Sequence, residues 1–149
     1  MPVSALDDHL GYWMRAASNA VSQGFARRLA DQGVTVAEWA VLRVLYDAPA
    51  MAPSELAARM SLTKGAISKL SDRLQAKGLL TRADHPDDRR GHLLDLTATG
   101  RALVPSLAAI ADANDTAFFD VLDPPEKAAL DQLIKALVVR HGLTGTPVD

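Results

Sequence analysis

Thr63, Lys64, Ser68, Lys69 and Arg73 place short hydrogen-bond donors and cations along one stretch, with the small residues Gly65 and Ala66 between them. On a helix this set forms one exposed side. Hydroxyl, ammonium and guanidinium groups arranged that way suit base edges in a DNA major groove and the phosphates beside it. Asp72 stands among them and is expected to orient an arginine rather than to touch a base. A second cationic pair, Arg89 and Arg90, falls in the polar run Asp84-His85-Pro86-Asp87-Asp88-Arg89-Arg90-Gly91, whose Pro, Gly and Asp residues favour a turn. Guanidinium groups at a loop tip suit the concentrated negative potential of a narrow minor groove. One of the two is expected to pair with Asp87 or Asp88, and the other to reach DNA. Ser54 and Ser61, at either end of a short segment just upstream, are read as phosphate contacts.

Other chemistries find little support. The 149 residues include no cysteine, which removes disulfides, thiolate nucleophiles and zinc–thiolate sites together. His9, His85, His92 and His141 are scattered over different segments, whereas metal sites cluster their ligands, so no metal and no cofactor is expected. The sequence carries no nucleophile elbow, phosphate-binding glycine loop or HExxH helix, so an enzyme is not expected either. Trp13 and Trp39 read first as core residues; with Arg15 they also outline a pocket for a planar anion.

The elements that must position these groups follow from apolar periodicity. Leu6, Leu10, Trp13, Ala17, Ala20 or Val21, Phe25 and Leu29 fall at steps of three and four, predicting one long helix over 6–29 that Gly33 stops. Thr35 and Glu38 form a capping box for a second helix carrying Trp39, Leu42, Leu45 and Tyr46. A short helix fits Pro53–Met60, with proline at its first position. Ser61-Leu62 makes a tight break, and 63–77 is helical again, buried through Ile67, Leu70 and Leu74 and ended by Gly78. The period then changes: 79–83 and 92–97 read as two strands joined by the polar loop 84–91. A helix from Thr97 or Thr99 to about residue 122 follows. Asp123-Pro124-Pro125-Glu126 starts a last helix running toward Gly142, and 143–149 is expected to fray.

A short helix, a tight turn, a helix ending in glycine and a hairpin with a basic tip make a winged helix-turn-helix pattern. The fold class expected is therefore mainly α with a small β wing, framed by long N- and C-terminal helices whose apolar stripes a small centre cannot cover. The charge agrees. The net charge is −2, yet residues 54–101 hold nine Lys and Arg against six Asp and Glu, a local surplus of +3 in an otherwise acidic chain. The composition, 48% hydrophobic and 23% charged, is that of an ordinary soluble domain, and no apolar run approaches the roughly 20 residues that span a bilayer. The opening Met1-Pro2-Val3-Ser4-Ala5-Leu6-Asp7-Asp8 lacks the pattern of a signal peptide, which makes a cytoplasmic location the default and a membrane partner unexpected.

Three blocks, Leu56-Ala57 through Lys77-Gly78-Leu79, Asp87-Asp88-Arg89-Arg90, and Leu96-Thr97-Ala98-Thr99-Gly100, resemble in order and spacing the MarR family of bacterial regulators. The family's wing often reads Asp-Pro-x-Asp-Arg-Arg, and here His85 takes the first place. The resemblance implies a homodimer joined through the first and last helices, a palindromic double-stranded operator read by two recognition helices, and usually repression. It also implies release by a small aromatic or phenolic effector bound between the dimer region and the DNA-binding lobe. Release by cysteine oxidation, used elsewhere in the family, is closed to this chain. The expected division is an N-terminal dimerisation helix over 1–34, a winged helix-turn-helix over 35–100 and C-terminal dimerisation helices over 101–149. Two other readings stay open: a non-specific architectural DNA-binding protein, and a protein-interaction module built on a degenerate winged helix.

Overall fold

The computed structural model describes residues 1–148, with the backbone alone for residues 88–90. Six helices and one hairpin follow in order: α1 (Leu10–Ala30), α2 (Val36–Tyr46), α3 (Pro53–Met60), α4 (Lys64–Ala76), β1 (Leu80–His85), β2 (Asp88–Leu96), α5 (Ala98–Phe119) and α6 (Pro124–Arg140). The mainly helical class with a two-stranded antiparallel wing is as expected.

The helix starts are set by short polar side chains. Thr35, Thr63, Thr97 and Asp123 each accept a hydrogen bond from the backbone N–H three residues on. This satisfies a group that the first turn leaves open. The predicted first helix differs at its start. Residues Leu6–Asp8 form a separate 3-10 turn, and α1 begins only at Leu10. The Asp8 carboxylate accepts from the Ala5 N–H (2.7 Å) and the Trp13 indole donates to the Asp7 carbonyl (2.9 Å), which closes that turn on itself.

The hairpin is longer than its apolar alternation suggested. The ladder pairs Leu80 with Leu96 and continues through Asp84 with His92, leaving only Pro86 and Asp87 between the strands. Residues 84, 85 and 88–91, expected in a loop, are therefore strand. Backbone pairing in a solvated ribbon does not need apolar side chains, so periodicity under-reports it. Of Thr97 and Thr99, the two residues expected to start the next helix, Thr97 is the cap of α5, and the strand ends before it at Leu96. Met51 and Leu94 add one further bridge, their amides and carbonyls exchanging bonds of 2.8 and 3.1 Å.

The core lies between residues 29 and 107. Leu29, Leu42, Leu45, Leu56, Ile67, Leu74, Leu94 and Leu107 are fully buried there. By contrast, residues 1–20 are all exposed and α6 contains no buried residue. Among the described residues no helix is long and apolar enough to cross a membrane.

Candidate nucleic-acid interface

The exposed side of α4 is created by what the other side buries. Ile67, Leu70, Ser71 and Leu74 face the core. At about 100° per residue they leave the opposite half of the helix to Lys64, Gly65, Ser68, Lys69, Asp72 and Arg73, all of them exposed. Lys64 and Arg73 lie nine residues apart, about 13 Å along the axis. Among the described residues, none of Lys64, Lys69 and Arg73 joins an ion pair.

Thr63 has two duties. It is the cap of α4, its hydroxyl oxygen accepting from the Ala66 N–H (3.1 Å), and it remains exposed. Ser61 occupies the α3–α4 turn at φ +53°, the only non-glycine residue at positive φ among those described. That single left-handed residue ends α3, and α4 starts three positions later at Lys64. Ser54 is exposed in the first turn of α3. Arg59, near the end of α3, pairs with Glu55 (3.0 Å).

Asp72 orients an arginine, as expected, and that arginine is Arg82 on β1 (2.7 Å). The pair ties the wing to α4 and offsets the one negative charge on the exposed face. Arg82 had no sequence signal, since its partner lies ten residues away across a turn. The wing's departure at His85 has a local account. The His85 Nδ1 accepts from the Asp87 N–H (3.1 Å), the bond an Asp side chain supplies to a turn two residues on. The side chains of Arg89 and Arg90 lie outside the described residues; their backbone belongs to β2.

Two further contacts fix α4 and the wing in place. Glu38 is fully buried at the start of α2. Its carboxylate accepts from the Thr35 N–H (2.9 Å) and from Lys77 Nζ (2.8 and 2.9 Å) just past α4, while the same ammonium donates to the Gly33 carbonyl (2.7 Å). Burial pushes the Glu38 carboxyl up. The Lys77 and Thr35 hydrogen bonds and the Lys77 charge outweigh it and hold the group below its ordinary value. At the other end, Thr97 donates to the Gly78 carbonyl (2.7 Å) and caps Gly100 (3.0 Å). A Cβ on Gly100 would overlap the Leu79 carbonyl oxygen, so the joint between the wing and α5, Leu96-Thr97-Ala98-Thr99-Gly100, admits no side chain at Gly100.

The three residues expected at an effector pocket are not brought together within one chain. Trp39 lines a cavity of about 320 Å³ with Ser22, Phe25, Val36, Arg43 and Val44. Trp13 and Arg15 are exposed toward the start of α1; Trp13 precedes Phe25 by twelve residues, about 18 Å of helix. Arg43, which pairs with Asp47 (2.6 Å), is the cation of that cavity and was not anticipated from sequence.

A sequence profile of the MarR family matches residues 32–91. A Thauera aromatica protein named as a transcriptional regulatory protein for the hcr operon is 33% identical over 132 residues, 86% of this chain and 78% of its own length. Among solved structures, BpsR of Bordetella bronchiseptica, whose DNA binding is regulated by 6-hydroxynicotinic acid, superposes with a TM-score of 0.78 at 26% identity, covering 91% of this chain and 97% of BpsR. A mutant MarR of E. coli complexed with operator DNA gives 0.76 at 27% identity, over 87% of this chain and 93% of that one.

Proposed function

The chain belongs to the MarR family of transcriptional regulators, and on that premise we propose that it represses transcription as a homodimer bound to a palindromic operator. The observation that carries this reading is the face of α4: three cations without an ion-pair partner among the described residues, and two small hydroxyl or glycine positions between them, opposite a wholly buried face. Thr63, Lys64, Ser68, Lys69 and Arg73 enter the major groove. Ser54 and Ser61 meet phosphates, and Arg89 and Arg90 take the wing to the minor groove. Residues 35–100 act as the DNA-binding lobe, with 1–34 and 101–149 as the dimer frame. Support for the frame comes from large apolar side chains left in water, among them Leu6 and Leu10 at 77% and Leu133 at 65% exposure. A second copy of the chain is the surface that covers them.

A small planar aromatic anion is the proposed effector. The Trp39 cavity supports it, with an indole to stack on and Arg43 for the charge. The regulation of BpsR by 6-hydroxynicotinic acid shows such chemistry in a relative. Selection of the protein's binding sites from a randomised duplex pool tests the reading. It should enrich a palindrome whose half-sites are centred about 10 base pairs apart, one helical turn. A pool that stays random would leave an architectural, non-specific binder as the better account.

A further inference from the structure

The residues after α6 do not leave the molecule. Gly142, at φ +61°, turns the chain, its N–H bonding the Val139 carbonyl (3.1 Å) while the Leu143 N–H bonds that of Val138 (3.0 Å). The segment then runs back against the lobe. Gly145 sits at φ +93°, and a Cβ placed on it would lie 2.7 Å from the Ser61 Cβ, 2.8 Å from its Oγ and 3.3 Å from the Met60 carbonyl oxygen. Thr146 and Pro147 form one wall of the cavity that Trp39 and Phe25 line, and Val148 packs on the hydrophobic core. Thr146 and Val148 are half-buried while Gly145 and Pro147 are exposed, the alternation of a strip laid on a surface with every second side chain seated. Sequence reading expects this stretch to fray, since it is short and has no helical or strand period. Its seating instead follows from a glycine that alone tolerates both the left-handed backbone and the space at Ser61.

We propose that residues 142–148 form an intramolecular strap that braces the α3–α4 turn and covers Trp39, so that release of the strap loosens the start of the recognition helix. Ser61 is the residue on which the angle between α3 and α4 turns, and Lys64 opens α4 three positions later. The strap is anchored at one end on α6, which has no buried residue of its own, and at the other on α1, α2 and the turn. It therefore links the frame helices to the helix-turn-helix. A braced turn has less conformational freedom to lose on binding, so the strapped form binds DNA more tightly. The DNA consequence rests on the reading of α4 as the recognition helix; the bracing does not.

The test uses two variants in a Trp13→Phe background, where Trp39 is the sole indole: Gly145→Val, which cannot occupy that backbone or that space, and a chain ended after Gly142. Gly145→Val keeps every core residue, and the shortened chain takes from the core only Val148, which packs on it from outside. Both should make Trp39 more accessible to acrylamide quenching and speed hydrogen exchange of the Ser61 and Leu62 amides, by about threefold or more. Those amides bond the Ala58 and Ala57 carbonyls in the braced turn. Binding to a selected duplex should weaken by a similar factor. Unchanged quenching and exchange in both variants would overturn the strap, as would a change in Gly145→Val that the shortened chain does not reproduce. Loosening without any loss of duplex affinity would overturn its role in DNA binding. A parent protein that binds no duplex at all would sink the proposed function, and the quenching and exchange arms would still decide the strap.

Discussion

Arg73→Ala removes one guanidinium from the far end of the α4 face and should weaken operator binding by about 1–3 kcal/mol, the range of a specific contact. A gel-shift titration with unchanged affinity would take Arg73 off the interface. Arg90→Ala should act differently. It should weaken binding to all sequences and lower the slope of log affinity against log salt by about one, since one phosphate charge is no longer neutralised. The residues of the α4 face were legible in the sequence because donor and cation types at helical spacing are a local signal. Arg82, the partner of Asp72, was not, because an ion pair between a helix and the strand after it leaves no trace in spacing. The His85 substitution was legible as a departure. Only the hydrogen bond to the Asp87 amide explains why the turn accepts it.

The elements predict two stability effects. Gly100→Ala forces a methyl group into the Leu79 carbonyl and should cost about 3 kcal/mol, at the upper end of overpacking penalties. Urea unfolding checks this, and a midpoint equal to that of the parent would mean the joint is loose. The second effect concerns Glu38 and Lys77. The folded Glu38 carboxyl is held below the ordinary value of 4.5. A depressed carboxylate contributes stability that is present above that value and lost as pH falls from it through the lower folded value. The protein should therefore weaken on acidification below about pH 4.5, and Lys77→Met should abolish that part of the acid dependence. At neutral pH the same substitution strands a buried carboxylate. The cost should be about 2 kcal/mol, less than for a fully buried pair because the Lys77 side chain is 39% exposed. Acid profiles of the unfolding free energy that superimpose for parent and Lys77→Met would refute the link.

Helix starts at Thr35 and Asp123 were readable in advance, since each carries a capping box, whereas Thr63, read inside its helix, is the cap of α4. The length of the wing, the 3-10 turn before α1 and the Met51–Leu94 bridge were not. The added wing length and the bridge are made by backbone bonds that side-chain pattern does not encode, and the turn interrupts a helix that apolar spacing carries on through Leu6.

At the scale of the whole molecule, the chain divides its apolar surface unevenly. The centre is closed, while α1 and α6 keep their stripes in water, with Leu10 at 77% and Leu137 at 42% exposure. The sequence showed this as stripes longer than a small core can cover. The proposed dimer covers these stripes, and Leu10→Glu should shift the protein in sedimentation from a dimer to the 15.9 kDa single chain. A variant that stays dimeric would move the interface away from the start of α1. The relation between the Trp39 cavity and the start of α1 was not legible, because Trp13 and Trp39 are separated by a length of helix that no local pattern encodes.

The central claim, that a dimer of this chain reads sequence through the free face of α4, is tested most directly by its affinity for a selected palindrome against a scrambled duplex of equal length, followed by fluorescence anisotropy over a salt series. The account predicts tighter binding to the palindrome by a factor of about 10³ or more, a preference that persists as salt rises. Equal affinities that decline together with salt would contradict it.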